Sequence, residues 1–405
     1  MNSKGWETTS LGEIAEIIMG QSPAGETCNE TGTGVPLLNG PTEFGNSHPH
    51  PVQFTTDPKK FSEIGDLLFC VRGSTTGRMN WADQRYAIGR GLAAIRHKKG
   101  EDYQPFLKGV LDYYLSLLLI EATGSTFPNV SSQQLNQLSI EIPNLHIQRR
   151  IASILSALDD KIELNRQTNH TLVAMAQAIF KEWFVDFRFP EATGEMQDSE
   201  IGFIPKEWRI SKLEEVSIII DCLHTKKPER IKEKTGFILL QLWNIQDSGL
   251  LDLNDAYWIA EEDYKEWISR IEATEGISVI TNVGRVGATS RIPRNVKVAL
   301  GRNMTAIKVK DNFPYDIFLI LLLTSNWMKN EIVLKTDAGT ILDSLNVRSI
   351  PKLRFVLPLD KILEAFEKLV KPIWVKMEEN IQQIHILVQI RDSLLPKLMN
   401  GEIEL

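Results

Sequence analysis

AIGRGLAAIR at residues 87–96 returns as ALGRNMTAIK at residues 299–308, and this repetition decides the fold. Arg90 then corresponds to Arg302, 212 residues later. Further matches occur in the same order along both halves of the chain. The offset between them drifts because the intervening loops differ in length. The chain therefore contains a duplicated domain with unlike loops, which suits one scaffold that recognises two different things.

Composition limits the class of protein. With 405 residues and 42% apolar side chains, the chain is long enough for two domains with substantial cores. Its three cysteines, Cys28, Cys70 and Cys222, are widely spaced, which argues against a disulfide framework and against a zinc site. No segment has the pattern of a signal peptide or the length of a membrane span. We expect a cytoplasmic protein without a membrane partner.

Each half is predicted to end in a long helix. From Ile151 to Ile179, apolar residues and asparagines alternate every four and three positions, as in the seam of a coiled coil. The copy from Phe366 to Leu394 keeps this spacing, with Asn380 at the position of Asn165. A polar residue in such a seam usually fixes the register of the helices. Pro372 predicts a kink or a restart in the second helix.

Two such helices in a pseudo-twofold chain most simply pack antiparallel and place a domain at each end. A helix of roughly 35 residues is about 50 Å long, comparable with about one and a half turns of B-DNA. The predicted fold class is therefore α/β (mixed α+β), with two tandem pseudo-twofold-related domains and two long helices that form an antiparallel coiled coil. The predicted boundaries are 1–145 for the first domain, 146–186 for the first helix, 187–206 for a linker, 207–358 for the second domain and 359–405 for the second helix.

Several segments resemble one family, the specificity (S) subunits of type I restriction-modification systems. They are GWETTSLGEIAEIIMGQSP at 5–23, GSTFPNVSSQQLNQLSIEIPNL at 124–145, the stretch from IQRRIAS to FVDF at 147–187, IGFIPKEWRISKLEEV at 201–216 and IRDSLLPKLMNGEIEL at 390–405. The resemblance spans nearly the whole chain and includes the duplication. The chain departs from it in the second helix, which begins PLDKILEAFEKL and lacks the pair Gln148 and Arg149 of the first.

The resemblance implies a non-catalytic subunit with two target-recognition domains, each of which reads one half of a split, asymmetric site in double-stranded DNA. It implies that the helices set the spacing of the half-sites and dock two methyltransferase (M) subunits, while restriction (R) subunits join the full complex. S-adenosylmethionine, ATP and Mg²⁺ would then belong to those partner subunits, and this chain would bind no cofactor.

The residues themselves indicate no catalytic or metal site. The N-P-P-[YFW] loop of an adenine methyltransferase is missing, and Gly91 of the Gly89-Arg90-Gly91 turn becomes Asn303 in the second copy. Asp159-Asp160-Lys161 lies on the predicted helix, where a solvated face is the simpler interpretation. Two alternatives stay open. A net charge of −7 would permit a two-headed scaffold that binds proteins. The other alternative is an enzyme fused from duplicated domains, and the missing methyltransferase, ATPase and nuclease motifs count strongly against it.

Candidate DNA contacts lie in turns beside the predicted strands, because the readout of base edges favours Arg, Asn and Gln. They are Gln21, Ser22, Arg72, Ser74, Thr75, Thr76, Arg78 and Arg90 in the first half, and Lys226, Lys227, Asn282, Arg285, Thr289, Ser290, Arg291 and Arg302 in the second. For each of them, a solvated turn residue is the simpler alternative. Arg90 and Arg302 recur in both halves and cannot distinguish two half-sites, so they hold phosphate or form a structural salt bridge.

Aromatic and apolar residues off the helix seam are candidates for the contact with M subunits. They are Met175, Phe180, Trp183, Phe184 and Trp374. A tertiary core beneath the two domains explains these residues nearly as well.

Overall fold

The computed structural model describes residues 5–122, 128–337 and 343–405. The chain divides into two compact units, the first formed by Met1–Leu164 with Ile386–Leu405 and the second by Asn165–His385. This division cuts both long helices, so that each helix contributes one part to each unit. The domain boundaries predicted from the sequence differ from this division because they keep each helix whole, and they stay a prediction.

The first half contains short strands, short helices and one long helix. Its strands are β1 (Glu7–Ser10), β2 (Ala15–Met19), β3 (Cys28–Asn29), β4 (Val35–Leu38), β5 (Gln53–Thr55), β6 (Phe61–Ser62), β7 (Leu67–Cys70), β8 (Met79–Trp81), β9 (Tyr86–Ile88), β10 (Leu92–His97) and β11 (Ser139–Ile142). Its α-helices are α1 (Leu11–Ile14), α2 (Gln104–Glu121), α3 (Ser132–Gln137) and α4 (Leu145–Phe184), and its 3₁₀ turns are Gly25–Thr27, Pro41–Glu43 and Glu101–Tyr103.

The second half repeats this order with different loops. Its strands are β12 (Met196–Gln197), β13 (Ile204–Pro205), β14 (Arg209–Lys212), β15 (Ser217–Asp221), β16 (Leu239–Leu240), β17 (Ser278–Thr281), β18 (Thr289–Arg291), β19 (Ala299–Leu300), β20 (Met304–Val309), β21 (Thr336–Asp337), β22 (Ser344–Leu345) and β23 (Arg354–Leu357). Its α-helices are α5 (Leu213–Val216), α6 (Glu261–Trp267), α7 (Asp316–Thr324), α8 (Asn326–Lys335) and α9 (Asp360–Met399), and its 3₁₀ segments are Leu242–Asn244 and Val347–Lys352.

The repeated decapeptide supplies the centre of both units. In the first unit, β10 lies inside a four-stranded sheet of order β2-β10-β7-β8, and in the second unit β20 lies inside the sheet β15-β20-β17-β18. The registers agree, since Leu67 faces Trp81 across one ladder and Ser278 faces Arg291 across the other. Both central strands are mostly buried, which explains their short apolar runs. The predicted duplication is confirmed.

The long helices α4 and α9 have 40 residues each and pack against each other. Every predicted seam residue is buried or half-buried. In the second unit, Asn165 Nδ2 donates to Gln383 Oε1 at 2.8 Å, and Asn380 Nδ2 donates to Asn169 Oδ1 at 2.8 Å. The residue number rises along α4 as it falls along α9, so the helices are antiparallel, and the predicted mixed α+β fold with paired helices is confirmed.

Pro372 does not interrupt α9, which is continuous from Asp360 to Met399. The predicted restart is therefore wrong. The neighbouring side chains Val370 and Trp374 are buried in the core of the second unit. We attribute the continuity to this packing, which compensates for the backbone hydrogen bond that a proline cannot make.

The asparagine pair provides a test of how the seam is held together. Asn380→Ala is expected to lower the free energy of unfolding by about 1–3 kcal/mol, because it leaves the buried Asn169 amide without its donor. The double variant Asn169→Leu with Asn380→Leu should recover most of this loss, since it removes both polar partners. Urea unfolding measures both changes. A single variant as stable as the double variant would contradict the pairing.

The predicted linker is partly ordered. It contains the hairpin of β12 and β13, and the Phe189 ring stacks on Trp208 at a centroid distance of 4.8 Å. In the part of the chain that the structure describes, no single helix is long and apolar enough to cross a membrane. The pair α7 and α8, bent by 66°, passes that test together by length and composition.

Candidate nucleic-acid interface

In the first unit, loops from separate strands meet at one edge of the central sheet. The Gln21 amide donates to the Ile88 carbonyl and the Gly89 amide to the Leu38 carbonyl, at 2.9 and 2.8 Å. A Cβ atom at Gly89 would clash with Asn39. The glycines therefore allow close backbone packing, which argues against a cofactor-binding turn. We call residues 20–22, 39–44, 71–78 and 89–91 the first loop edge.

The second unit has an equivalent edge. The Cys222 amide donates to the Met304 carbonyl at 3.2 Å, and the Asn282 amide donates to the Asn303 carbonyl at 2.8 Å. A Cβ atom at Gly301 would clash with the Leu240 carbonyl oxygen, so this turn is also packed backbone against backbone. We call residues 222–230, 241–247, 282–287 and 301–303 the second loop edge. Its chain path matches the first edge, but its side chains differ.

Arg90 and Arg302 occupy matched positions on the two edges and are exposed to solvent. Among the described residues, neither guanidinium has a hydrogen-bond or ion-pair partner. The Arg90 backbone amide is anchored separately, by the Ser22 hydroxyl at 3.3 Å. A structural salt bridge was one of two sequence-based interpretations of these arginines. The described residues form no such salt bridge with Arg90 or Arg302, and the other interpretation, a contact with phosphate, stays a prediction.

Two further arginines that the sequence predicts to contact DNA form hydrogen bonds with a turn of their own loop edge. Arg78 donates to the carbonyls of Pro41 and Phe44, at 3.1 and 2.8 Å. Arg285 donates to the carbonyls of Leu242 and Ile245, at 3.3 and 2.6 Å. Both side chains are still partly exposed, and Arg285 also forms an ion pair with an exposed aspartate. Each arginine thus stiffens the 3₁₀ turn of its loop edge while part of its guanidinium faces solvent.

The other predicted contacts differ in exposure. The exposed ones are Gln21, Ser22, Arg72, Ser74, Thr75 and Lys226. Thr76 is half-buried and donates to Gly73 and Pro128 carbonyls at 2.8 Å. Lys227 is half-buried, and its ammonium donates to Gln241 and lies 4.1 Å from the centre of the Tyr257 ring. Burial lowers the pKa of Lys227, as does the nearby Arg230 to a smaller extent.

Four residues of the second half that the sequence predicts to contact DNA are buried, and the prediction is corrected for these four. Their exposed fractions are at most 5%, which leaves almost no surface for a ligand; they are Asn282, Thr289, Ser290 and Arg291. Asn282 bonds Thr305 and the Leu345 carbonyl, and Ser290 donates to the Leu250 carbonyl at 2.6 Å. The sequence pattern placed Thr289, Ser290 and Arg291 in a loop, whereas they form the buried strand β18.

The predicted contacts with a partner subunit also need correction. Phe180, Trp183, Phe184 and Trp374 lie in the core of the second unit, where the ring centroids of Phe184 and Phe366 are 4.7 Å apart. The alternative of a tertiary core is therefore the better account of these four. Met175, which is 47% exposed on α4, is the predicted contact that keeps a solvent-facing side chain.

The sequence interpretation missed Trp243, which is 46% exposed on the second loop edge. Its indole nitrogen donates to the Asp255 carbonyl at 3.0 Å, so the ring is held in place. The Lys227 ammonium lies 5.6 Å from the ring centre. A tryptophan inside a polar turn, beside Asn244, was the available signal, but tryptophan is not among the Arg, Asn and Gln side chains that favour the readout of base edges.

One group of described side chains has the spacing of metal ligands. The ligand atoms of Asp221, Cys222 and His224 lie within 4.8 Å of one another. The Asp221 carboxylate is already engaged by His224 at 2.7 Å and lies 3.7 Å from Arg270. Burial raises the pKa of the Cys222 thiol, which disfavours the thiolate that a metal needs. The donor set therefore does not support a cation site.

Sequence similarity to known proteins extends over both halves of the chain. The family described as type I restriction modification DNA specificity domain matches residues 3–174. The type I restriction enzyme MjaIX specificity subunit of Methanocaldococcus jannaschii is 24% identical over 420 residues, which cover 99% of this chain and 94% of that protein. The chain belongs to the specificity subunits of type I restriction-modification systems.

Two further similarities agree with this membership. The putative type I restriction enzyme MjaX specificity subunit of the same organism is 38% identical over 164 residues, which cover 40% of this chain and 38% of that protein. A crystal structure of a type I restriction-modification S subunit from M. genitalium shares the fold, with a TM-score of 0.58 and 17% identity over 98% of this chain and 97% of that chain. As a specificity subunit, this chain is the non-catalytic DNA specificity component of a type I restriction-modification complex.

Proposed function

We propose that each unit reads one half of a bipartite, asymmetric site in double-stranded DNA through its loop edge. The observation that carries this proposal is the matched pair Arg90 and Arg302, exposed and without partners among the described residues, on edges whose other side chains differ. Matched arginines suit phosphate, which is the same at every site, and unlike loops suit two different base sequences.

Charge is consistent with modest affinity of the isolated chain for DNA. The second loop edge carries Lys226, Lys227, Arg230, Arg285 and Arg302, whereas the whole chain has a net charge of −7. Phosphate contacts supply most non-specific affinity, so a chain with this balance gains from partners that add cations. The proposed assembly contains two M subunits, joined by R subunits in the full complex.

The helix pair is proposed to set the distance between the half-sites and to dock the M subunits, with Met175 as one exposed contact. S-adenosylmethionine, ATP and Mg²⁺ are assigned to the partner subunits, and the complex is assigned to the cytoplasm. The role of this chain is then limited to binding, spacing and recruitment. The buried seam and the asparagine pair, which fix the helix register, support a spacing role.

Sequencing the methylome of a host that expresses this chain with its cognate M subunit tests the proposal. The expected result is methylation at one motif made of two different half-sites at a fixed separation. The matched control is the same host with the M subunit alone. Methylation without this chain, or at a single continuous motif, would contradict the two-unit assignment.

Trp243→Ala is expected to weaken recognition of one half-site only. The indole presents a rigid apolar face that can pack against a base or sugar, and its loss should reduce affinity about tenfold. Competition binding of the assembled complex with duplexes altered in one half-site measures the change. Trp258→Ala, a change elsewhere in the second unit, serves as the control for general destabilisation. Equal losses at both half-sites would contradict the assignment.

A further inference from the structure

A buried polar cluster joins α9 to the rest of the second unit. Arg291 Nε donates to Asp316 Oδ2 at 2.5 Å, and Arg291 Nη1 donates to Glu378 Oε1 at 2.6 Å. The Trp374 indole nitrogen also donates to Glu378 Oε1, at 2.9 Å. The side chains of Arg291, Asp316 and Glu378 are 5%, 12% and 8% exposed. The cluster is therefore almost completely shielded from water.

Its three charged members come from three different elements. Arg291 ends β18, Asp316 begins α7, and Glu378 lies on the long helix α9. Apolar side chains at such a junction can exchange partners with little loss. Charge-assisted hydrogen bonds are directional and weaken when the geometry changes. The cluster therefore constrains how α9 crosses the sheet and α7.

A second glutamate strengthens the same junction. Glu367 Oε1 accepts hydrogen bonds from the backbone amides of Ile317 and Phe318, both at 2.9 Å. These amides belong to the first turn of α7, which has no carbonyl partners for them within the helix. Glu367 and Glu378 are eleven residues apart, about three helical turns, and therefore share one face of α9. The helix α9 is therefore linked to the start of α7 directly through Glu367 and, by way of Arg291, through Glu378.

The first unit places a glutamate at the same position but joins it differently. Glu163 follows seam residue Ile162 as Glu378 follows Met377. The Ser47 hydroxyl donates to the Glu163 carboxylate at 2.5 Å. By the ladder registers, Trp81 stands where the second unit has Arg291. The frame is repeated, but Trp81 cannot provide the guanidinium group that Arg291 provides in the second unit.

We propose that Arg291, Asp316 and Glu378 are positioning residues that fix the second unit on the long helix and thereby determine which spacer length between half-sites the protein accepts. This inference rests on the proposed function. The cluster touches no DNA, and its effect reaches the DNA through the orientation of the second loop edge. A buried ion pair is weak support for stability alone, because apolar replacements of similar volume are often tolerated. A role in geometry accounts for the cluster better than a role in stability alone.

The test uses the assembled complex of this chain with its cognate M subunit and duplexes that carry both half-sites at the native spacing or with one base pair more or fewer. Glu378→Leu removes the link from α9 to Arg291 and leaves the Arg291–Asp316 pair neutral. Glu378→Gln keeps the shape and some hydrogen bonding. Glu379→Leu is the matched control, because Glu379 is the exposed neighbour on the same helix. Binding to duplexes with mismatched half-sites is measured in parallel.

The wild type and Glu379→Leu should prefer the native spacing about tenfold, since a wrong spacing must be met by twisting or bending the DNA. Glu378→Leu should lose most of this preference while it keeps its discrimination against mismatched half-sites, and Glu378→Gln should shift less in the same direction. A folded Glu378→Leu variant that keeps the wild-type spacing preference overturns the inference. If Glu378→Leu does not fold, a Glu378→Gln variant with the wild-type spacing preference overturns it instead. A wild type without spacing preference overturns the proposed function itself.

Discussion

Arg291→Ala is expected to lower the free energy of unfolding of the second unit by about 3–5 kcal/mol. The substitution leaves the Asp316 and Glu378 carboxylates buried without their cation. Burial already raises the pKa of Glu378, and the opposing effect of Arg291 would be lost. Native-state hydrogen exchange along α7 and β18 measures the loss within the second unit of the full chain.

Arg294→Ala is the control for this experiment, because Arg294 is an exposed arginine three residues further along. It should change stability by less than about 0.5 kcal/mol, as is usual at surface positions. A stable Arg291→Ala chain with weaker DNA binding would restore the sequence-based prediction that Arg291 contacts DNA.

The double variant Arg90→Ala with Arg302→Ala is expected to weaken binding of the assembled complex to all DNA sequences alike. Each phosphate contact contributes about 0.9 to the slope of log affinity against log salt, so the slope should fall by about two. Affinity at moderate salt should fall on the order of tenfold to a hundredfold. Titrations at several salt concentrations, with cognate and unrelated duplexes, provide the measurement.

Lys206→Ala with Lys265→Ala is the matched control for the arginine pair. Both lysines are exposed in surface ion pairs with Glu195 and Glu261, outside the loop edges. The control removes the same net charge and should leave the salt slope nearly unchanged. A double arginine variant that unfolds, or that retains the wild-type slope, would contradict phosphate contacts by these residues.

The features that could be predicted from sequence are those with a regular period. The duplicated decapeptide located the central strands, and the 4-3 alternation located a helix pair whose seam is buried as expected, with Asn380 inside it. Pro372 shows the limit of a local rule, since the packing of Val370 and Trp374 keeps α9 continuous. Local propensity was overridden by tertiary contacts.

The loop edges were only partly predictable, because side-chain direction in irregular segments depends on distant partners. Arg291 follows a broken strand just as Arg78 does, yet it turns inward because Asp316 and Glu378 offer buried carboxylates. Trp374 lies off the seam as a surface contact would, but it fills the core of the second unit. The carboxylate partners of Arg291 are 25 and 87 residues away in the sequence, so no local pattern around Arg291 encodes them.

The most direct test of two independent recognition units is the affinity of the assembled complex for four duplexes, which carry both half-sites, the first, the second or neither. It compares a second-edge variant, Lys226→Ala with Trp243→Ala, with a first-edge variant, Arg72→Ala with Ser74→Ala. We predict that each variant loses discrimination at one half-site only, and that the two variants affect different half-sites. Equal losses at both half-sites in either variant would contradict the account.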